Sequence, residues 1–385
     1  MVDLAAVFED RFGRPPTVIG RGPGRVDLMG GHTDYNDGYV FPIALAQHVA
    51  LAAAPRDDRT LRLYAMDFDQ WTEASLDDLG RRDEPLWMNY PMGVAHFLQE
   101  DEGIRLRGMD GVLWGDVPIG SGLSSSAATE VASAVTFQAL NGFEMDPVRL
   151  ALLCQKAENQ FVGMNCGIMD QFISLLGRKD HALLIDCRSL DYELVPIPSR
   201  NHRFLVCDTR VPRQLVDSEY NTRRGQCEEA VRLLEPRLPG IKALRDVTPE
   251  ALEANRRLLP EIVYRRARHV VSENRRVLDC VEAMKAGDIE AVGQLMAESH
   301  RSLRDDYGVS IRALDIIGET ADDVEGALGA RLAGAGFGGC GVCLCAEEAI
   351  EEYTRELNRR YRAEIGHEPA VYVCEAEDGA RVEKP

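Results

Sequence analysis

The stretch Gly115-Asp-Val-Pro-Ile-Gly-Ser-Gly-Leu-Ser-Ser-Ser-Ala-Ala128 constrains this chain most. The apolar run at 111–115 reads as a strand, Gly120 and Gly122 make a tight turn, and Ser124 to Ser126 open a helix running to about residue 140. A strand turning directly into a helix gathers free backbone N–H groups and the positive end of the helix dipole at one point, which makes an anion site. Glycine and serine let a polyphosphate approach the backbone closely. The residues that would cradle it are Gly120, Ser121, Gly122, Leu123, Ser124, Ser125, Ser126 and Ala127. No Gly-Lys-Ser/Thr follows, so this is not a Walker A loop. An ordinary loop with a serine N-cap would account for one Ser-Gly turn. Three consecutive serines after Gly-x-Gly-Leu favour phosphate.

Two other segments are glycine-rich. In Leu332-Ala-Gly-Ala-Gly-Phe-Gly-Gly-Cys-Gly341, the residues Gly334, Gly336 and Gly339 satisfy G-x-G-x-x-G. A helix-like segment is expected before it and a strand after it, the reverse of a dinucleotide fingerprint, so a dehydrogenase is disfavoured. Cys340-x-x-Cys343 is one pair and cannot complete a zinc site. Gly22 to Gly38 packs Arg25, Asp27, His32, Asp34, Tyr35, Asn36 and Asp37 between expected strands. Short polar side chains on a rigid loop suit sugar hydroxyls, which are recognised by fixed donors and acceptors. Asp170 follows a mostly apolar stretch, where a carboxylate is costly unless paired. It reads either as the N-cap of a helix at 171–177 or as a general base or electrostatic partner of a reacting hydroxyl.

Strands cluster early and helices late, which predicts an α+β chain of two lobes, 1–198 and 199–385, divided near Pro196, Pro198 and Ser199. Lys and Arg total 44 against 63 Asp and Glu, a net charge of −19 that argues against nucleic acid or an anionic membrane as partner. Ten scattered cysteines and an N-terminus without a signal-peptide pattern predict reduced thiols and a cytoplasmic protein. A monomer or weak oligomer is expected. His269 and His300 are expected to be packed or surface histidines, and Arg265, Arg266 and Arg268 a solvated charged helix face.

These elements, in this order, resemble the GHMP sugar kinases, and among them the galactokinase family. Gly24-Arg-Val-Asp-Leu-Met-Gly-Gly-His-Thr-Asp-Tyr-Asn-Asp-Gly-Tyr-Val40 is similar to that family's N-terminal signature, and Pro118 to Ala128 to the superfamily's ATP-phosphate loop. Cys166-Gly-Ile-Met-Asp-Gln-Phe-Ile-Ser174 is similar to the segment carrying the catalytic aspartate. Tyr264 to Glu273, Glu298 to Tyr307 and Ala335 to Cys340 resemble later family segments. The resemblance implies a two-lobed GHMP fold with ATP and sugar bound between the lobes, and phosphorylation of the anomeric hydroxyl of a galactose-like sugar. By position, Asp170 would be the catalytic aspartate and Arg25 its cationic partner. Glu158 and one of the loop serines, Ser126 foremost, would hold Mg2+. Gly31, His32, Thr33, Asp34, Gly167, Asp170 and Tyr220 would form the sugar site. Phosphoryl transfer is mostly positioning and charge neutralisation, which these residue types supply.

One departure stands out. Galactokinases usually carry Glu at the position of Gly31, where it is expected to bind around the sugar's 6-hydroxyl. Its loss keeps L-arabinose and galacturonate open as alternative substrates. Asp27, where Asn is frequent, is a milder departure. A non-catalytic sugar sensor is opposed by the intact Ser124-Ser-Ser-Ala-Ala128 and by the presence of both Asp170 and Arg25.

Overall fold

The computed structural model describes residues 2–198, 201–211 and 216–385, with the backbone alone for 216–218; Ser199 of the expected boundary lies outside these. Helix α1 (Leu4–Phe12) precedes two long antiparallel strands, β1 (Val18–Met29) and β2 (Tyr39–Pro55). A hairpin of β3 (Thr60–Ala65) and β4 (Gln70–Ser75) and helix α2 (Asn89–Glu100) follow. Strand β5 (Met109–Gly115) then enters between β2 and β3, antiparallel to the first and parallel to the second. Helices α3 (Ser125–Asn141), α4 (Pro147–Lys156) and α5 (Met169–Leu176) come next, then the hairpin β6 (His181–Asp186) and β7 (Tyr192–Pro196), which joins the start of β2.

The second half opens with β8 (His202–Asp208) and five helices: α6 (Val216–Leu234), α7 (Pro249–Ala254), α8 (Glu261–Ala286), α9 (Ile289–Ser302) and α10 (Arg312–Asp323). Strands β9 (Ala327–Ala333) and β10 (Cys340–Ala346), helix α11 (Ile350–Glu364) and β11 (Ala370–Cys374) complete a second, four-stranded antiparallel sheet of order β11-β8-β10-β9. The last strand, β12 (Arg381–Glu383), returns to the edge of the first sheet, which runs β12-β1-β2-β5-β3-β4 with β6 and β7 attached. This is the mixed two-lobed α+β architecture the sequence implied. No helix among the described residues is long and apolar enough to cross a membrane.

Two glycines of β1 decide where the phosphate loop sits. A Cβ at Gly20 would lie 2.1 Å from Thr136 Oγ1, and one at Gly22 would lie 2.3 Å from the Ala128 carbonyl. Without them α3 settles on the strand, and the start of that helix arrives beside Arg25, whose N–H donates to the Leu123 carbonyl at 3.0 Å. The signature segment itself differs from expectation, because its first half, through Met29, is strand rather than loop.

The segment before the third glycine motif in chain order, Leu332 to Gly341, also needs correction. Ala327-Leu-Gly-Ala-Arg-Leu-Ala333 has a helix-former's composition, yet it is a strand paired with β10. A Cβ at Gly329 would fall 2.0 Å from the Gly293 carbonyl, so the glycine lets α9 press onto that strand. The motif is thus a hairpin loop, and a strand rather than a helix follows it.

Both lobes contain a π-helical turn, Ala157–Val162 after α4 and Leu303–Tyr307 after α9. Such turns often occur at functional sites, because the extra residue re-aims a side chain. Helix α8 bridges the lobes. Its Glu273 accepts from the Gly30 N–H at 3.0 Å, its Asn274 accepts from the Tyr39 N–H at 3.0 Å, and its His269 donates to the Gly31 carbonyl at 3.0 Å.

Candidate active site

A cavity of about 440 Å³ lies between the lobes, with the phosphate loop and Asp170 at one end and His32, Asp34 and Tyr220 at the other. At the first end, Arg25 Nε and Nη2 clamp the two oxygens of Asp170 at 2.6 and 2.7 Å, while Nη1 donates to the Gly122 carbonyl at 2.6 Å. This fork-to-fork geometry fixes the aspartate and the loop together. Burial opposes the Arg25 charge, but Asp170, Asp27 and Asp34 outweigh it and raise the guanidinium pKa. Asp170 sits inside the first turn of α5, whose N-cap is Ile168, so the N-cap alternative does not hold. Ser124 adopts a left-handed backbone (φ 60) and makes no cap bond; its hydroxyl donates to Asp170 instead. Ser125 and Ser126 line the cavity beside it.

At the second end, Asp34 lies against Gly167, where a Cβ would be 1.8 Å from Asp34 Oδ2, so only glycine fits. Burial, reinforced by the nearby Asp170 charge, pushes the Asp34 carboxyl up to about 6. His32 holds a left-handed backbone (φ 65), an uncommon conformation for a residue with a Cβ. Its ring packs against those of Tyr35, Tyr220 and Tyr307. The third glycine motif closes this wall. Gly334 N–H donates to Asp27 Oδ1 at 2.7 Å, and the Ala335 carbonyl accepts from His32 Nε2 at 3.2 Å.

Known proteins are similar to this chain. Residues 6–55 match the galactokinase galactose-binding signature, 89–178 the GHMP kinase N-terminal domain and 280–363 the GHMP kinase C-terminal domain. The galactokinase of Roseiflexus sp. (strain RS-1) is 49% identical over 377 residues, covering 98% of this chain and 96% of that protein. That of Chloroflexus aggregans is 49% identical over 376 residues, with the same coverage. The crystal structure of Lactococcus lactis galactokinase complexed with galactose superposes with a TM-score of 0.95 at 35% identity, covering 98% of both chains. The chain belongs to the galactokinase family. It is accordingly a sugar 1-kinase with ATP as phosphoryl donor. The Methanococcus jannaschii mevalonate kinase, at 18% identity and a TM-score of 0.65, shares the fold alone.

Within this family member, several expected site residues face elsewhere. The buried Thr33 hydroxyl bonds the Gly30 and Tyr39 carbonyls at 2.8 and 2.6 Å, so it shapes the loop and does not line the cavity. Ser121, Leu123 and Ala127 are also buried outside the cavity lining, and the Ser121 hydroxyl donates to the Pro118 carbonyl. Arg266 is buried, contrary to the solvated helix face expected, while Arg268 is exposed as expected and pairs with Asp306. His269 is fully buried and holds the signature loop from the other lobe. Its role depends on a partner 238 residues away, which no local pattern reveals.

The residues near Glu158 fit a divalent cation. Glu158 is buried, shares the amide of Gln171 with the fully buried Glu130, and hydrogen-bonds Ser126. Burial first, and Asp170 second, raise its pKa, while Glu130 Oε1 has no hydrogen-bond partner. Neighbouring buried carboxyls whose charged forms burial disfavours are groups that a divalent cation would stabilise. Among the described residues no group of three or more His, Cys, Asp or Glu could hold a metal ion, so Glu158 and Ser126 would supply one oxygen each and phosphates and water the rest.

Proposed function

We propose that this protein transfers the γ-phosphoryl group of ATP to the anomeric hydroxyl of galactose, giving galactose 1-phosphate. The Arg25–Asp170 clamp, seated between the phosphate loop and the sugar end of the cavity, carries this reading. The start of α3 receives the phosphates on its free N–H groups and dipole. Asp170, held by Arg25 and Ser124, faces the hydroxyl that attacks. It accepts that proton or offsets charge as the bond to phosphorus forms. Arg25 stands where charge gathers on the transferring group. Glu158 and Ser126 would hold Mg2+, which when bound neutralises charge on the phosphate oxygens. Asp34 and Tyr220 offer an acceptor and a phenol to the sugar hydroxyls. The wall formed by Gly31 carries no side chain and keeps L-arabinose and galacturonate as competitors.

The test is an ADP-release assay with ATP and Mg2+ on galactose, L-arabinose, galacturonate, N-acetylgalactosamine and glucose, with the phosphorylated position read by phosphorus NMR. Fastest turnover on galactose, giving the 1-phosphate, is expected. Preference for another sugar would move the substrate assignment, and absence of turnover on all five would refute it.

A further inference from the structure

The sugar end contains a chain of hydroxyl groups that the mechanism above does not use. A carbonyl can only accept, so His32 Nε2, 3.2 Å from the Ala335 oxygen, carries the ring proton. Burial, with the nearby His269 adding to it, lowers the His32 pKa to about 3, so the imidazole is neutral and its Nδ1 is bare. Nδ1 therefore accepts from the Tyr35 hydroxyl at 2.7 Å. With that proton committed, the Tyr35 oxygen accepts from the Tyr307 hydroxyl at 2.6 Å, and the Tyr307 oxygen accepts from the Cys227 thiol at 3.3 Å. One carbonyl thus sets the direction of four hydrogen bonds, and both His32 nitrogens are engaged by protein.

The far end of this chain is rigid. Tyr307 is fully buried at the close of the second π-turn, with its ring between those of His32 and His269, at centroid distances of 4.7 and 4.6 Å. Arg223 donates to the Tyr307 and Gly308 carbonyls, each at 2.9 Å, and Arg266 donates to the Asp306 carbonyl. The π-turn is therefore pinned from α6 and α8.

We infer that Tyr35 and Tyr307 are positioning residues for the sugar site. They hold His32 in its Nε2–H form, and His32 in turn ties the Gly334–Ala335 loop of the second lobe across the sugar wall. On this view His32 bonds no sugar hydroxyl through its ring nitrogens. The inference rests on the placement of the sugar beside His32 and Asp34 proposed above.

The test combines imidazole-nitrogen NMR of the histidine-labelled protein with steady-state kinetics on galactose. The ligand-free wild type should show His32, assigned with a His32→Asn variant, as a neutral Nε2–H tautomer with a hydrogen-bonded Nδ1. Tyr35→Phe should shift that Nδ1 signal and raise the KM for galactose about tenfold, the worth of one hydrogen bond. The KM for ATP and kcat should stay within about twofold. Tyr307→Phe, one bond further away, should move the same quantities in the same direction by about threefold. Both variants keep the ring, and thermal unfolding checks that they fold. An Nδ1–H tautomer in the wild type would overturn the inference, as would Tyr35→Phe variants that lose kcat and ATP affinity together. The NMR result stands whichever sugar is turned over, so a failed galactose assay is distinguishable from a failed relay.

Discussion

The two ends of the cavity are built on different principles. The phosphoryl end comes from one lobe, from residues between Arg25 and Asp170, and is held by charge: a two-pronged ion pair and a serine on the same carboxylate, with the buried Glu158 behind Ser126. The sugar end is assembled from both lobes and is mostly neutral: aromatic rings packed at a tilt, a neutral histidine and a loop 303 residues away from that histidine in sequence. Loss of one member should therefore be severe at the first end, where its removal leaves a buried charge without a partner. At the second end the same loss should be graded, because each contact is one hydrogen bond among several.

The largest effect should come from Asp170→Asn. It keeps the shape but removes the charge clamped by Arg25, and kcat should fall by about 10³-fold, with ATP and galactose still binding by calorimetry. Turnover within tenfold of wild type would remove Asp170 from the chemistry and erase the contrast between the two ends. Glu158→Gln should follow, with activity at limiting Mg2+ down about 10²-fold and more Mg2+ needed for half-maximal rate. Burial raises the Glu158 pKa, so its charged form is disfavoured in the metal-free protein. The Gln variant should then melt at the same or a higher temperature without Mg2+. Reduced activity together with a lower melting temperature would mean a structural role instead.

At the sugar end pH becomes the probe. With Asp34 raised to about 6 by burial, its ionised acceptor form is lost as pH falls through that value. The kcat/KM for galactose should drop about tenfold between pH 7 and pH 5, and Asp34→Asn should flatten this limb of the profile. The stability sign is the opposite. The native carboxyl binds its proton more tightly than the unfolded one, so between about pH 4 and 6 the folded state holds more protons. Asp34's contribution to the stability of the ligand-free protein therefore falls as pH rises through that window. A profile unchanged in the variant would assign the limb to another group.

The same contrast explains what the sequence made legible. The phosphoryl end was visible because local chemistry writes it: strand, Gly-x-Gly, three serines and a helix are contiguous, and Asp170 stands out against apolar neighbours. Residue chemistry alone showed the sugar end only in the segment from Gly22 to Gly38, and Gly167 and Tyr220 came from the family resemblance. Tyr307, His269 and Arg266 act from the other lobe, and their burial depends on how α8 lies against β1 and β2 and how the second π-turn lies against α8. Strand β9 was hidden for a related reason, since its composition favours a helix while its pairing with β10 and the α9 contact at Gly329 decide otherwise. Strand β12 is three residues long and pairs with residues more than 350 positions earlier, beyond what any periodicity can signal.

The smallest predicted effect concerns the position that departs from the family. From sequence alone, Gly31→Glu should restore an acceptor for the sugar and raise the preference for galactose over L-arabinose. The structure places a competitor beside it. A Cβ at Gly31 would stand 2.6 Å from Nη2 of Arg331, a fully buried guanidinium whose Nε and Nη2 have no hydrogen-bond partner. The contact is with the end of a long side chain, so Arg331 can yield, and the new carboxylate meets the unbonded Nη2 of that guanidinium before it reaches the cavity. Arg331 is already shared with Asp27, at 3.1 Å from both its carbonyl and its Oδ2. A second carboxylate would complete that pairing and be drawn away from the sugar. The galactose to L-arabinose ratio of kcat/KM should accordingly rise by no more than about threefold, less than one full hydrogen bond confers. Thermal stability should be unchanged or slightly higher, because the unbonded side of the Arg331 guanidinium gains an acceptor. A rise well beyond tenfold would show the carboxylate escaping Arg331 to bind the sugar directly, and would give the sugar end a charge-based contact like those at the phosphoryl end.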